Sequence, residues 1–330
     1  MDSDSMKKVI QVFRERDNFL VTAHVNPEGD SIGSQLAILY ILEKMGKNVC
    51  VVDHDRVPEN MKFLPGSEKI LSDIPGEVDV ETLVLLDCPV RERTGNIAEK
   101  AGTDTFTVNI DHHVSNEYFG DVNWVEPGMS SVGEMAYFLA REAGVGMSRE
   151  LAMYIYAAMI TDTGMFNYDN TSGTTHRVAG ELVDAGVEPR RMHSEIYEKK
   201  KAVELRVLGK VLSTMQITAG GKVAYIYLTR KMYKEEGSDF VATEEFINYP
   251  RSVKGVEIAV FFKENAESED RVNVSFRSAG RIDVNRLASV FGGGGHPAAS
   301  GCMFAGGLEQ AIAAIMAEAG KAVDGPRAGR

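Results

Sequence analysis

The first third of the chain carries short apolar runs, each closing on a residue with chemistry to offer: Phe19–Ala23 before His24, "TLVLL" before Asp87 and "FTVNI" before Asp111. Runs of this length are too short for helices and read as buried strands. Residues 6–15 alternate in the manner of a short amphipathic helix, and a second helix is predicted from near Ser31 to about Met45. Its apolar positions include Leu36, Leu39, Tyr40 and Ile41, and Gly46 lies just past its end. "NVCVVD" reads as a further strand, and helix-compatible sequence separates 87 from 106. Strands alternating with helices predict an α/β domain with a parallel sheet. Ligands of such sheets bind beyond the carboxyl ends of the strands, so His24, Asp87 and Asp111 are expected to share one crevice.

From 130 to about 213 the period becomes helical, in "SVGEMAYFLA", "LAMYIYAAMI", "VAGELVDAG" and "SEIYEKKKAVELRVLGKVLSTM". Ser131 and Glu134 have the spacing of a capping box. Strand signals return in "MQITA", "KVAYIYL", "EIAVFFK" and "RVNVSFRS", followed by "FGGGGHPAASG" and an Ala-rich helix over 308–319. The expected organisation is a parallel-sheet domain over 1–190, a Lys- and Glu-rich helical connector over 191–213, and a smaller α+β domain over 214–330.

Composition narrows the function classes. With 330 residues, two domains are a better expectation than one core. Apolar residues at 44% and charged residues at 25% are ordinary for a soluble globular chain and set disorder aside. A formal charge of −12 repels polyanions and argues against long duplex nucleic acid. A small phosphorylated ligand stays open, because divalent metals invert the local sign. Cys50, Cys88 and Cys302 are scattered without a CxxC pair, which fits a reducing cytoplasm. No window approaches the roughly 18 apolar residues of a membrane span, so a cytosolic chain without membrane partners is expected.

The loop "HVNPEGDS" offers His24, Glu28 and Asp30 to a hard cation. Taken alone, it is equally explained by Asp30 or Ser31 capping the helix. Asp87 alone is a turn residue, and Asp162 in "MITDTGMF" alone ends a helix. Asp111, His112 and His113 are harder to explain separately, since three adjacent polar groups at the end of a buried strand need partners. Together the four clusters are most simply one binuclear metal site. Elsewhere, the glycine run reads either as a flexible loop or as a place where backbone approaches a phosphate. Arg277 and Ser278 at a strand end suit a phosphate. Arg93 in "CPVRERTG" is balanced between a substrate contact and a surface salt bridge. Trp124 and Cys88 read as core, and His54, His176 and His193 lie outside the motifs.

The ordered stretches "HVNPEGDSIGS", "LLDCPV", "NIDHHVSN" and "ITDTG" resemble the four motifs of the DHH phosphoesterase superfamily, and "GGGGHPAASG" resembles the signature of the DHH-associated C-terminal domain. The length and layout look most like the bifunctional oligoribonucleases that also act on adenosine 3′,5′-bisphosphate (PAP). That resemblance implies an active site in a cleft between the domains and two manganese ions. One would be held by His24, Glu28 and Asp87, the other by Asp30, Asp87, His112 and Asp162. It implies catalytic roles for Asp111, which orients its neighbours, and for His113, which lies toward the phosphate. Gly293, Gly294, Gly295 and His296, with Arg277 and Ser278, would grip the substrate. Glu28 departs from the family's usual aspartate, and its longer reach places that ligand in question. The implied activity is hydrolysis of short oligoribonucleotides to nucleoside monophosphates and of PAP to AMP by two-metal-activated water, with short 5′-phosphorylated RNA, dinucleotides and PAP as partners and a homodimer left open. The alternatives are a phosphodiesterase of linear or cyclic dinucleotides, which would use the same residues, and a catalytically silent nucleotide-binding regulator.

Overall fold

A computed structural model describes residues 3–324 apart from 77–78, 103, 238–242, 244, 266–267, 269 and 296. It divides into two compact units, Met1–Lys199 and Lys200–Arg330.

The first unit runs α1 (Ser3–Glu15), β1 (Phe19–Thr22), α2 (Gly29–Lys44), β2 (Val49–Val52), β3 (Ile70–Leu71), β4 (Thr82–Leu86), α3 (Ile97–Ala101), β5 (Phe106–Asp111), β6 (Val122–Val125), α4 (Val132–Ala143), α5 (Arg149–Asp162), α6 (Gly173–Asp184) and α7 (Pro189–Tyr197). Its strands form a six-stranded sheet in the order β3-β2-β1-β4-β5-β6, parallel throughout. Alternate residues serve the two faces, as the strand period requires. Phe19, Val21, Val84 and Leu86 join the large core formed with α1, α2, α4 and α5, while Leu20, Leu83 and Leu85 pack with Cys88, Ile97 and Ala98 on the other face. Each such aliphatic side chain contributes about 1.5–3 kcal/mol by leaving water. Trp124 is fully buried in the larger core.

α2 and α5 are apolar nearly all round because each is covered on several sides. Their close approach is written in the sequence as Gly29 and Gly33. A Cβ on Gly33 would lie 2.5 Å from the Tyr154 carbonyl oxygen, and one on Gly133 would lie 2.3 Å from the Ala158 Cβ. Ala158 of α5 would thus be met from both sides, by a Cβ on Gly33 of α2 at 3.0 Å and by one on Gly133 of α4. The expected capping box is only half present: the Ser131 hydroxyl accepts from the Glu134 N–H at 3.0 Å, but the Glu134 carboxylate accepts from the Ser130 N–H at 2.8 Å, one residue earlier.

The second unit runs α8 (Ala202–Leu212), β7 (Gln216–Thr218), β8 (Val223–Leu228), α9 (Arg230–Glu235), α10 (Asn248–Arg251), β9 (Ile258–Glu264), β10 (Arg271–Ser278), α11 (Val284–Ser289), β11 (Gly294–Gly295), β12 (Ala299–Ala305) and α12 (Leu308–Asp324). The helical connector is carried by α7 and α8, with a break at 198–201. The sheet order is β11-β12-β10-β9-β8-β7, mixed, with only β8 and β9 parallel among the described pairs. One face packs Val260, Phe262, Val274 and Phe276 with α11 and α12, and the other packs Ile226, Leu228 and Phe261 with α8.

Candidate metal centre

The strand order of the first sheet reverses at β1 and β4, so the loops after these two strands leave in opposite directions and open a crevice at their carboxyl ends. His24 stands two residues past β1, Asp87 one past β4, and Asp111 is the last residue of β5, with His112 and His113 following. Asp30 lies in the first turn of α2, and Asp162 is the last residue of α5. The glycine contacts between α2 and α5 bring these two carboxylates together.

His112 is the hub. Its Nε2 lies 3.5 Å from Asp87 Oδ1, 3.6 Å from Asp162 Oδ2 and 3.9 Å from Asp30 Oδ2. Asp87, His112 and His113 form one group, and Asp30, His112 and Asp162 another, with ligand atoms within 4.8 Å of one another in each. His24 joins through its Nε2, 3.3 Å from Asp87 Oδ2 and 2.9 Å from the Ser31 hydroxyl. Both histidines have their tautomers set from behind. His24 Nδ1 faces the Val25 carbonyl at 2.7 Å and His112 Nδ1 the Met129 carbonyl at 3.3 Å. A carbonyl only accepts, so each Nδ1 carries a proton and each Nε2 is turned into the centre, the orientation of metal-ligating imidazoles generally.

Asp30 has a second duty that its own helix hides. Its Oδ2 accepts from the Val132 N–H at 2.8 Å, and its Oδ1 from the Gly133 N–H at 2.9 Å and the Ser34 hydroxyl at 2.8 Å. It therefore caps α4, not α2, whose N-cap position is Glu28. Asp87 is held in the left-handed region at φ 57°, a conformation that is costly for a residue with a Cβ and that concentrates at functional sites.

The charges are crowded. Burial, reinforced by Asp87 and Asp162, lifts Asp30 to about 7, and burial lifts Asp162 to about 6 despite the facing His112. Burial also opposes ionisation of Asp87, but hydrogen bonds with His112 and His24 outweigh it and hold that carboxyl below its ordinary range. His112 is raised well above the ordinary imidazole value because, although burial disfavours its charge, Asp87, Asp162 and Asp30 surround it. Asp87 Oδ1 is buried and is faced at 3.5 Å by both His112 Nε2 and His113 Nδ1, without a shorter contact. Clustered carboxylates and two imidazole nitrogens turned into the same space fit divalent cations that accept mixed oxygen and nitrogen ligands.

Asp111 is fully buried, and both its oxygens are engaged. Oδ1 accepts from the backbone N–H groups of His112 and His113 at 2.8 and 3.2 Å and faces His113 Nδ1 at 2.7 Å, while Oδ2 accepts from the Asn116 amide at 2.6 Å. It thus sets the direction of both histidines. Asn116 also donates to Asn109 Oδ1 at 2.8 Å, and Asn109 donates to the Cys88 carbonyl at 3.1 Å, which ties β5 to the residue after Asp87. Asn170 donates to Asp162 Oδ2 at 3.1 Å. These asparagines were not singled out from the sequence. The "HHVSN" spacing of Asn116 was the available signal.

The remaining expected residues fall as follows. Glu28 is exposed and belongs to neither ligand group, although its charge reaches Asp162. Arg277 and Ser278 end β10; the Arg277 guanidinium donates to the Phe276 carbonyl at 3.0 Å, and the Ser278 hydroxyl accepts from the Gly280 N–H at 3.0 Å. The glycine run is not a plain loop. Gly294 and Gly295 form β11 against Gly301 and Ser300, and a Cβ on Gly293 would meet the Gly301 carbonyl oxygen at 2.2 Å, so close backbone pairing alone requires glycine there. His296 lies outside the described residues. Among the described residues no helix is long and apolar enough to cross a membrane.

Residues 18–159 match the DHH family N-terminal domain and residues 220–324 the DHHA1 domain. The chain belongs to the DHH phosphoesterases that carry a DHHA1 domain. Within that family it is 30% identical over 315 residues to the bifunctional oligoribonuclease and PAP phosphatase NrnA of Thermus thermophilus, covering 95% of this chain and 93% of that one. It is 29% identical over 305 residues to the protein of the same name from Bacillus subtilis, covering 89% and 91%. The solved structure of an exopolyphosphatase-related protein from Bacteroides fragilis superposes with a TM-score of 0.89 at 29% identity, over 96% of each chain.

Proposed function

We propose that the chain is a manganese-dependent phosphoesterase that releases nucleoside monophosphates from short oligoribonucleotides and converts PAP to AMP. The observation that carries this reading is the pair of ligand groups sharing His112, in a chain that aligns over nearly its full length with relatives of that name. A bound pair of divalent cations would activate water and neutralise charge on the phosphoryl oxygens. The chain's own residues do the rest. Asp30, Asp87, Asp162, His24 and His112 would hold the metals, and their preset tautomers and backbone bonds spare reorganisation on binding. Asp111 fixes the His113 ring through Nδ1, so that His113 hydrogen-bonds the leaving oxygen and assists its departure. A net charge of −12 favours short substrates over long polyanions. Three free thiols accord with a reducing cytoplasm.

The test is the initial rate of mononucleotide release from a 5′-phosphorylated RNA dinucleotide with manganese, beside PAP and pyrophosphate. Release that chelation abolishes is the expected result. Rapid pyrophosphate cleavage with silence on the dinucleotide and PAP would refute the substrate assignment.

A further inference from the structure

Across the crevice where the strand order reverses, the two loops are tied directly: the Val25 N–H, next to His24, donates to the Arg93 carbonyl at 2.7 Å. This bond places Arg93, on the 3-10 turn Arg91–Thr94, on the rim that carries His24 and Asp87. The neighbouring Arg91 is structural, donating to the Thr107 hydroxyl and to the Ala98 and Gly102 carbonyls. Arg93 is different. Its side chain is exposed and, among the described residues, has no hydrogen-bond or ion-pair partner.

The turn is also fixed from its far side. Gly95 has φ 61°, and a Cβ there would meet the His54 ring at 2.7 Å, while His54 Nδ1 lies 3.0 Å from Asn96 Oδ1. The Asn26 N–H donates to Asp55 Oδ2 at 2.7 Å, binding the loop after β1 to the loop after β2. A guanidinium on an anchored backbone, without a partner, beside a phosphoester site at the switch point of the sheet has the makings of an anion subsite.

We propose that Arg93 binds a phosphate of the substrate other than the one being cleaved, which selects short nucleotides carrying a second phosphate. A guanidinium does not ligate a metal, and Arg93 sits on the turn that follows Asp87, so it would meet the substrate beyond the reacting phosphorus. This rests on the phosphoesterase reading above and adds a specificity determinant within the first unit.

The experiment compares wild type, Arg93→Ala and Arg93→Lys, with manganese, on an adenylyl dinucleotide with and without its 5′-phosphate. AMP is also titrated as an inhibitor of bis(p-nitrophenyl) phosphate hydrolysis, and metal stoichiometry and Tm are measured alongside. Loss of a charge-assisted contact should lower kcat/KM on the phosphorylated dinucleotide by about 10–100-fold, mainly through KM, and on the unphosphorylated one by about threefold or less. Lysine should restore part of the loss, and the Ki of AMP should rise by the same factor as KM. Equal losses on both dinucleotides, or no change on either, would overturn the proposal. If wild type cleaves the chromogenic ester but neither dinucleotide, the substrate reading fails. The AMP inhibition constants still decide Arg93: a Ki unmoved in Arg93→Ala rejects the subsite, and a raised one supports it.

Discussion

Gly33→Ala tests whether the metal centre depends on helix contacts that touch no ligand. The added methyl would sit 2.5 Å from the Tyr154 carbonyl oxygen and 3.0 Å from the Ala158 Cβ and backbone nitrogen. No rotamer change relieves this, because the opposing atoms are backbone or Cβ. The helices α2 and α5 must part by roughly 1 Å, at about 1–3 kcal/mol for an overpacked core, offset by the gain of about 1 kcal/mol for alanine over glycine inside a helix. The net loss is about 0–2 kcal/mol, or a Tm lower by up to about 8 °C for a unit of this size. Asp30 lies on α2 and Asp162 on α5, so the same displacement separates two candidate ligands, and a misplacement of about 1 Å costs on the order of 100-fold in rate. The assays are Tm by calorimetry and manganese-dependent phosphodiester hydrolysis. Gly180→Ala on α6 is the control: nothing lies within 4 Å of its added Cβ, so activity should hold and Tm stay level or rise. Gly33→Ala with wild-type rate and manganese affinity would refute the argument that α2–α5 contact sets the ligand spacing.

Other outcomes follow from the same geometry. Asp87→Asn, which keeps a side chain tolerant of the left-handed backbone, should abolish turnover on every phosphoester and lower metal stoichiometry; retained activity would remove Asp87 from the ligand set. Asn116→Ala should leave metal bound but lower kcat by about 10-fold or more as Asp111 loses a charge-assisted donor, and an unchanged kcat would show that Asp111 orients the histidines unaided. In metal-free protein, Asp30 at about 7 and Asp162 at about 6 hold protons more tightly than in the unfolded chain, as do the raised His112 and His113, so Tm should rise as pH falls from 8 to 5.5. Asp87, held low, stays ionised across that window and adds no slope. Manganese must displace these protons, so its Tm increment should be larger at pH 8 than at 5.5, and the opposite order would contradict the crowded-charge account. Arg277→Ala should raise KM for nucleotides with metal binding intact, checked by steady-state kinetics and metal titration.

The parts of this molecule legible in the sequence are those with a local signature. The runs before His24, Asp87 and Asp111 are strands because they are short, apolar and closed by polar residues, and the structure places β1, β4 and β5 there. β6 is only partly buried, and β12 begins inside the small residues after the glycine run, so neither shows a strong period. α9, α10 and α11 are too short for a helical repeat to register. The grouping of Asp30, Asp87, His112 and Asp162 was legible because each ends or begins an element. That Asp30 caps α4, a hundred residues away, was not, since the bond joins loci with no shared pattern. Glycine spacing likewise announces freedom or closeness without saying to what, and only the packed neighbours distinguish Gly33 from Gly180.

The register of β1 on β4, Phe19 beside Thr82, bears on how the chain reaches its native state. His24 and Asp87 meet only after a loop of about sixty residues closes, and such non-local parallel pairings form slowly. Asp162 comes from further along the chain still, at the end of α5. A nascent or partly folded chain therefore displays its acidic and imidazole groups in separate small clusters, each a weak ligand set for any passing cation. Strong metal uptake should switch on late and together, which makes the rate of manganese capture during refolding a reporter of β1–β4 closure and α5 docking.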